Sequence, residues 1–300
     1  MTTSFRNSIN TTMRKLLTEY NGLIFGQNLT DVGWVAGTLP ELPSHPGYVE
    51  LPISDIAGPG LAVGAALTCR PVVYISRYQG YLWLNMVPIA TYAALARKVF
   101  KQDCKLMFRS IADDGAWGPV ASGSHFSIAL QVPTLKVVAP ICPKNWEEIW
   151  HEFITNNDPI FVAEHRGTYE LEELKVYKDS KPKIVVLFVS STWLSADSLS
   201  KMLESQGVKH YFENIFWIRP VKVSAETLSI IKQTQKCLIV DPCSENSGIG
   251  RRVQSFVEES CPNALVKVVG NNEFFPGYSR DLRSKVVSSE SIFDALKLML

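Results

Sequence analysis

Residues 51–66 read LPISDIAGPGLAVGAA, and this stretch decides the fold of the chain. The acidic residue Asp55 precedes a run composed mainly of glycine and alanine. So many small residues predict a helix that packs very closely against its neighbour. Asp55 is then either the N-terminal cap of this helix or a carboxylate with a function of its own, and the residues alone leave both interpretations open.

On both sides of this stretch, short β-branched runs alternate with segments of helical periodicity. The pattern predicts strands at 22–26, 72–76, 105–109, 136–139 and 159–163. It predicts helices at 8–20, 83–100 and 144–155, the last beginning with a proline. Such alternation is typical of a parallel sheet with helices on both faces.

A polar segment at 177–182 (YKDSKP) interrupts the alternation, which then starts again. The later part predicts strands at 183–189, 211–217, 237–240 and 265–269, and helices at 195–206, 225–233, 248–259 and 291–300. We therefore expect an α/β protein with two doubly wound domains, residues 1–180 and a smaller domain at 181–300.

Composition and charge exclude several classes of protein. The 300 residues are 46% hydrophobic and 20% charged, with a net charge of +1, which is typical of a globular protein without a polyanionic partner. Six cysteines occur without a CxxC pair, which favours reduced thiols rather than a disulfide framework or a zinc site. The first ten residues carry no apolar leader, so we expect a soluble, cytoplasmic protein.

Generic catalytic motifs give little. Gly58, Gly60 and Gly64 resemble a loosened dinucleotide fingerprint, but no predicted strand directly precedes them, so a stand-alone NAD-type enzyme is the weakest alternative. Ser122, Ser124 and His125 lack the nucleophile elbow that a serine hydrolase of this fold class needs.

A family resemblance is more informative. Segment 51–66 is similar to the "PISE…G…A.GAA" segment in the β subunits of pyruvate and branched-chain 2-oxo-acid dehydrogenases. Further segments resemble these subunits in the same order: 24–34 (IFGQNLTDVGW), 70–74 (RPVVY), 134–140 (TLKVVAP) and 157–165 (NDPIFVAEH). Residues 218–220 (IRP), 237–247 and Gly250 resemble the C-terminal domain of transketolase. The resemblance covers essentially the whole chain and implies a transketolase-like pyrimidine-binding domain followed by a transketolase C-terminal-type domain.

The resemblance implies thiamine diphosphate as cofactor and assigns roles to three residues. Asp55 matches the carboxylate that hydrogen-bonds the pyrimidine ring and activates the cofactor. Tyr78 matches an aromatic residue that packs on this ring, although it is also compatible with an ordinary tyrosine at a strand end. Ile53 falls in the same cofactor-binding stretch.

Two positions depart from the family pattern. The family carboxylate is usually Glu, and Asp is shorter by roughly 1.5 Å. Aligning 118–125 (GPVASGSH) on the downstream Leu135 puts Ala121 where related enzymes carry an active-site histidine. His125 follows four residues later and either replaces that histidine or packs at a helix start.

The resemblance also implies a partner chain. Thiamine enzymes hold the diphosphate through Mg²⁺ bound by a Gly-Asp-Gly motif with distal asparagines, and Asp113-Asp114-Gly115 does not complete this motif. We therefore expect an α-type subunit to hold the diphosphate and Mg²⁺, in an α2β2 heterotetramer. The substrate remains open between a 2-oxo acid and a ketose, and the main alternative is a catalytically degenerate scaffold or regulatory homologue of the same fold.

Overall fold

The computed structural model describes residues 3–31, 33–68, 70–271, 277–283 and 285–300, and its strands form two sheets. The strands are β1 (Leu23–Gly26), β2 (Tyr48–Glu50), β3 (Val72–Ser76), β4 (Leu106–Ala112), β5 (Lys136–Val138), β6 (Ile160–His165), β7 (Ile184–Val189), β8 (His210–Ile215), β9 (Trp217–Arg219), β10 (Lys236–Ser244) and β11 (Leu265–Asn271). The first sheet has the order β2-β1-β3-β4-β6-β5-β9 and the second β11-β10-β7-β8. Every described pairing of these strands is parallel except that of β5 with β9.

Helices cover the sheets, as the alternation predicted. The longer ones are α1 (Phe5–Thr18), α2 (Ala57–Ala66), α3 (Leu82–Pro88), α4 (Pro143–Thr155), α5 (Ala196–Ser205), α6 (Ala225–Thr234), α7 (Ile249–Ser260) and α8 (Ser289–Lys297). Strands β3 and β4 are buried along their whole length because helices cover both faces of the first sheet. The predicted α/β class with two doubly wound units is confirmed. The division at residue 180 stays a prediction; the strands of the second sheet all follow it, and β9 crosses back to the first sheet.

The predicted helix at 83–100 is interrupted. Helix α3 ends at Pro88, and the chain continues as two π-helical turns, Ile89–Ala93 and Ala96–Phe100. Proline lacks the N–H that would bond the carbonyl one turn back, so the regular α-helical ladder cannot run through it.

The predicted strand at 211–217 also divides. Its first part forms β8 in the second sheet, whereas Trp217 begins β9 and pairs with β5 of the first sheet. The Trp217 indole N–H donates to Glu148 Oε1 on α4 at 2.6 Å, which fixes this crossing point. Residues 211–217 form a continuous β-branched and aromatic run, and such a pattern does not show that its two ends join different sheets.

A left-handed turn at Gly33–Gly37 precedes Thr38, whose side chain is buried against the first sheet. Trp34, Val35 and Ala36 have φ between 51° and 55°, a conformation that costs roughly 1–2 kcal/mol per residue. The side-chain amide of Asn10 on α1 donates to the carbonyls of Gly37 (3.0 Å) and Leu39 (2.8 Å), which compensates part of this cost.

A buried ion pair joins the two central strands of the first sheet. Arg109 on β4 and Glu164 on β6 are both 0% exposed, with Nε and Oε1 2.5 Å apart and Nη2 and Oε2 2.9 Å apart. Arg109 Nη2 also donates to Thr38 Oγ1 (3.1 Å), and the Tyr169 hydroxyl donates to Glu164 Oε2 (2.9 Å). Burial acts to lower the pKa of Arg109, but the charge of Glu164 and its hydrogen bond raise this pKa overall, so Arg109 keeps its charge.

In the second sheet, a buried carboxylate fixes the start of α7. Asp241 on β10 accepts hydrogen bonds from the backbone N–H of Cys243 (2.8 Å) and of Gly250 (2.5 Å). Burial nevertheless raises the pKa of Asp241 to about 6. Within the described residues, no helix is both long and apolar enough to cross a lipid bilayer.

Replacing Arg109 with Leu should lower the free energy of unfolding by about 3–5 kcal/mol, because Glu164 would keep a buried charge without its cation. Urea denaturation measures this loss. Arg97→Leu is the matched control, since Arg97 forms exposed ion pairs with Asp103 and Asp158 that are worth about 1 kcal/mol or less. Equal losses in the two variants would contradict a special role of the buried pair.

Candidate functional site

A cleft of about 220 Å³ opens at the carboxyl ends of β1 and β3. This is the edge at which parallel α/β sheets bind ligands. Three of the residues predicted from the sequence, Asp55, Ile53 and Tyr78, line it together. The remaining lining residues are Gln27, Asn28, Tyr74, Ile75, Ser76, Arg77, Tyr81 and Asn85.

Asp55 does not cap α2. The cap residue is Ile56, whose side chain makes no capping hydrogen bond. Instead, Asp55 is held from two sides: Gln27 Nε2 donates to its Oδ1 at 3.4 Å, and Asn85 Nδ2 donates to its backbone carbonyl at 2.6 Å. The cap interpretation is therefore wrong, and the carboxylate faces the cleft with one long hydrogen bond.

Close packing places the Tyr74 hydroxyl against the start of α2, near Asp55. A Cβ atom at Gly58 would lie 3.2 Å from the Tyr74 hydroxyl oxygen, which explains the glycine at this position. Gly64 is exposed and has open space where a Cβ would be, so close packing does not require a glycine there. Burial, and then the Asp55 charge, raise the pKa of Tyr74 and of Tyr81, so both hydroxyls keep their protons at neutral pH.

Asn85, on α3, carries an acceptor without a partner. Its Nδ2 donates to the Asp55 carbonyl, whereas its Oδ1 is buried and has no hydrogen-bond partner among the described residues. Leaving a buried amide oxygen unsatisfied costs about 1–3 kcal/mol. An oxygen of this kind beside a carboxylate in one cleft is a place where a ligand N–H can bind.

The rim of the cleft is apolar and exposed. Ile53 is 82% exposed, and an exposed apolar face continues from it along α2 and α3. We use the term apolar face for Ile53, Ile56, Leu61, Trp83, Leu84 and Val87. Apolar groups concentrated beside a ligand cleft are typical of a protein interface.

Tyr78 is oriented by charged groups that follow β4 and β6. The Arg166 guanidinium carbon lies 5.2 Å from the centre of the Tyr78 ring, and Arg166 Nη1 contacts Asp113 Oδ2 at 3.0 Å. The ring of Tyr81 lies 6.3 Å away at an angle of 42°. The Tyr78 ring thus has a cation and a second aromatic ring as neighbours.

His125 lies outside the lining of the cleft, one hydrogen bond away from it. Its backbone N–H donates to Gln79 Oε1 at 2.8 Å, and Gln79 directly follows Tyr78 in the chain. The imidazole Nε2 lies 3.0 Å from the Ser122 carbonyl, which can only accept, so Nε2 carries a hydrogen. Burial lowers the pKa of His125, which favours the neutral ring.

Ala121 ends the short helix Gly118–Ala121, which packs on the residues after Tyr78. A Cβ atom at Gly80 would lie 2.4 Å from the Cα of Val120, so the two backbones are in direct contact. Ser122 is buried, and its hydroxyl oxygen accepts a hydrogen bond from the backbone N–H of Trp117 at 3.0 Å. This arrangement gives Ser122 no place as a nucleophile.

Comparison with known proteins identifies the family. Residues 1–172 match the family model described as "Transketolase, pyrimidine binding domain".

The chain belongs to this family.

Its curated relatives include the "Pyruvate dehydrogenase E1 component subunit beta" of Chaetosphaeridium globosum, 26% identical over 92% of this chain and 91% of the relative. Another is the "Acetoin:2,6-dichlorophenolindophenol oxidoreductase subunit beta" of Cupriavidus necator, 24% identical over 78% of this chain and 74% of the relative. Among solved structures, a "Split gene transketolase, inactive beta4 tetramer" aligns with a TM-score of 0.75 at 14% identity, covering 99% of this chain and 98% of the other. The resemblance to the β-subunit and transketolase-like family is confirmed.

The residue that connects the Asp55 cleft to His125 could not be recognised from sequence motifs. Gln79 is 1% exposed, and its Nε2 donates to the carbonyls of Ser110 (3.2 Å) on β4 and Glu164 (3.4 Å) on β6. Asp113 and Arg166, which orient Tyr78, also went unassigned. They directly follow the observed strands β4 and β6, whereas the predicted strands ended a few residues earlier. Their position shortly after predicted strands was the available signal, since polar residues at carboxyl ends of parallel strands gather at one edge. Among the described residues, no three His, Cys, Asp or Glu side chains are grouped so as to hold a metal ion.

Replacing Gln79 with Met should lower the free energy of unfolding by about 1–3 kcal/mol, because it leaves buried backbone groups without their partner. Chemical denaturation measures this value, and the His125 imidazole resonances in the NMR spectrum should shift. Gln206→Met, at an exposed helix end, is the control and should change stability by about 0.5 kcal/mol or less. Unchanged His125 resonances in the Gln79 variant would contradict the connection.

Proposed function

We propose that this chain is the β-type subunit of a two-component thiamine-diphosphate-dependent enzyme. The enzyme would act either as a 2-oxo-acid dehydrogenase component or as a transketolase-like two-carbon transferase. The observation that carries the proposal is the cleft that Asp55 and Asn85 line together, in a chain of the pyrimidine-binding family. The names of the curated relatives support the same assignment.

The residues present fit an aminopyrimidine ring. Asp55 would hold a proton at a ring nitrogen, and Asn85 Oδ1 would accept from the exocyclic amino group. Tyr78 would pack on the ring, with Arg166 behind it, and Ile53 would close the rim. Thiamine diphosphate, when bound, supplies a nucleophilic carbon and an electron sink for cleavage beside a carbonyl. The chain's own task is then to orient the ring and to hold this proton.

A volume of about 220 Å³ accommodates a ring but not the whole cofactor. Cofactor sites commonly occupy about 300–1,000 Å³. We infer that an α-type subunit supplies the remainder of the site, holding the diphosphate and Mg²⁺ in an α2β2 heterotetramer. The apolar face at the rim supports this, since burying it against a partner would both stabilise the assembly and exclude water from the cleft.

His125 remains the second catalytic candidate. A neutral imidazole with its Nε2 hydrogen bound to a carbonyl is fixed in orientation, and Gln79 positions its backbone next to Tyr78. In this role it would transfer a proton at the substrate once the partner completes the site. The substitution of Ala121 for the family histidine also supports the alternative function, a degenerate scaffold that retains the fold without the chemistry.

Calorimetric titration with thiamine diphosphate and Mg²⁺ tests the proposal, on the chain alone and on its complex with the α-type protein encoded nearest to it. Binding should require the complex, because each chain contributes part of the site. Binding by neither sample would favour the scaffold alternative. Tight binding by the isolated chain would contradict the division of the site.

In the same complex, Asp55→Asn should reduce turnover by about ten- to a hundredfold or more through loss of a charge-assisted hydrogen bond. Asp55→Glu, which restores the usual family residue, should retain activity. Asp103→Asn on the surface serves as the control and should leave turnover unchanged. Full turnover in Asp55→Asn would show that the carboxylate does not activate the cofactor.

Leu61→Glu should prevent assembly with the α-type subunit, because Leu61 is 57% exposed on the apolar face and an interface would bury the new charge without a partner. Size-exclusion chromatography with light scattering measures the assembled mass. Leu298→Glu, at a residue 76% exposed near the end of α8, is the control and should assemble normally. Normal assembly of both variants would place the interface elsewhere.

A further inference from the structure

Arg77 is the one cation among the described residues that line the Asp55 cleft. It directly follows β3, and its Nη1 donates to the Asn28 carbonyl at 2.6 Å. With the described residues it forms no ion pair. A guanidinium carries five N–H donors, so most of those of Arg77 remain available to a ligand.

The carboxyl end of β1 orients the two charges of the cleft separately. Gln27 Nε2 donates to Asp55 Oδ1 at 3.4 Å, whereas the carbonyl of the next residue, Asn28, accepts from Arg77. Asp55 and Arg77 therefore line one cleft without neutralising each other. A ligand that fills this space meets a carboxylate that accepts hydrogen bonds and a guanidinium that donates them.

The electrostatic surroundings of Arg77 favour a bound anion. Burial lowers the pKa of Arg77, and the charge of Arg166 lowers it further. The charge of Glu50 acts in the opposite direction, but its two carboxylate oxygens accept the Leu29 N–H at 3.1 and 2.9 Å. An anion at Arg77 would offset both the loss of water and the second guanidinium.

The geometry of a guanidinium selects an oxyanion. Its planar N–H groups match the oxygens of a carboxylate or a phosphate, and such charge-assisted hydrogen bonds are about twice as strong as neutral ones. Under the proposed function, Asp55 and Asn85 bind the pyrimidine ring, and the α-type subunit holds the diphosphate. The substrate is then the molecule that supplies an oxyanion to Arg77.

We propose that Arg77 is a specificity-determining residue that binds the oxyanion of the substrate, a carboxylate or a phosphate, beside the ring that Asp55 orients. The proposal rests on the proposed function, because it assigns the ring to one part of the cleft and the substrate to another. A 2-oxo acid would present its carboxylate to Arg77, and a sugar phosphate would present its phosphate.

Steady-state kinetics of the complex with the α-type subunit test this role, with pyruvate and fructose 6-phosphate as the two anionic substrates. Arg77→Met should raise KM for whichever of them is turned over by about ten- to a hundredfold, because a charge-assisted hydrogen bond is lost. The value of kcat should change by about threefold or less, since the lost contact serves binding. Arg77→Lys keeps the charge and should restore part of the affinity.

Neutral analogues and a surface variant are the controls. The inhibition constants of methyl pyruvate and fructose, which lack the oxyanion, should be equal in the unaltered and Arg77→Met complexes. Arg14→Met removes an exposed arginine from α1 and should leave KM unchanged. An unchanged KM for the anionic substrate in Arg77→Met would overturn the role of Arg77 while leaving the proposed function intact. Equal losses for the anionic and neutral compounds would also overturn it, because they would indicate a purely structural effect.

An anion titration of the chain alone separates failure of this proposal from failure of the proposed function. Acetate and inorganic phosphate are added at constant ionic strength, and the side-chain Nε–H resonances of the arginines are followed by NMR. The resonance of Arg77 should shift saturably, and that of Arg14 should not. A complex that turns over neither substrate would contradict the proposed function, and the titration then decides the oxyanion site by itself. Parallel shifts of Arg77 and Arg14, or none, would overturn the site.

Discussion

The first sheet depends on the buried ion pair between Arg109 and Glu164. Both charges are removed from water at the centre of the sheet, so each requires the other, and this requirement fixes how β4 and β6 pair. Thr38 bonds Arg109, and Tyr169 bonds Glu164. The left-handed turn before Thr38 and the segment around Tyr169 are thereby both attached to the ion pair. The backbone of Tyr169 accepts the N–H of Arg6 at 2.9 Å, so the start of α1 is positioned by the same set of contacts.

The functional edge is built on the ends of these two strands. Ser110 follows Arg109, and its carbonyl together with that of Glu164 receives the Gln79 amide. Asp113 and Arg166 come shortly after the same strands and hold the Tyr78 ring. A displacement of β4 against β6 would therefore move Gln79, Tyr78 and the His125 backbone together. The ion pair contributes register to the site, while the hydrophobic cores supply most of the stability.

Under the proposed function, the cleft is half of a site. Asp55 and Asn85 line it, and Asn85 Oδ1 has no hydrogen-bond partner among the described residues. Ile53 at the rim, however, is 82% exposed. A closed active site would bury this side chain, since each exposed apolar group beside a reacting centre admits water.

The sequence by itself determined the α/β class, most of the elements and the stretch that contains Asp55, because these follow from periodicity and from local residue preferences. It also indicated Ile53, Asp55 and Tyr78, which the fold brings into one cleft. It did not show the break of the predicted helix at Pro88 clearly, nor that residues 211–217 divide between two sheets. Only the tertiary structure decided that Asp55 is no helix cap and that Gln79 links His125 to the strands. These features depend on contacts between residues far apart in the chain, and local sequence carries no record of which distant groups will meet.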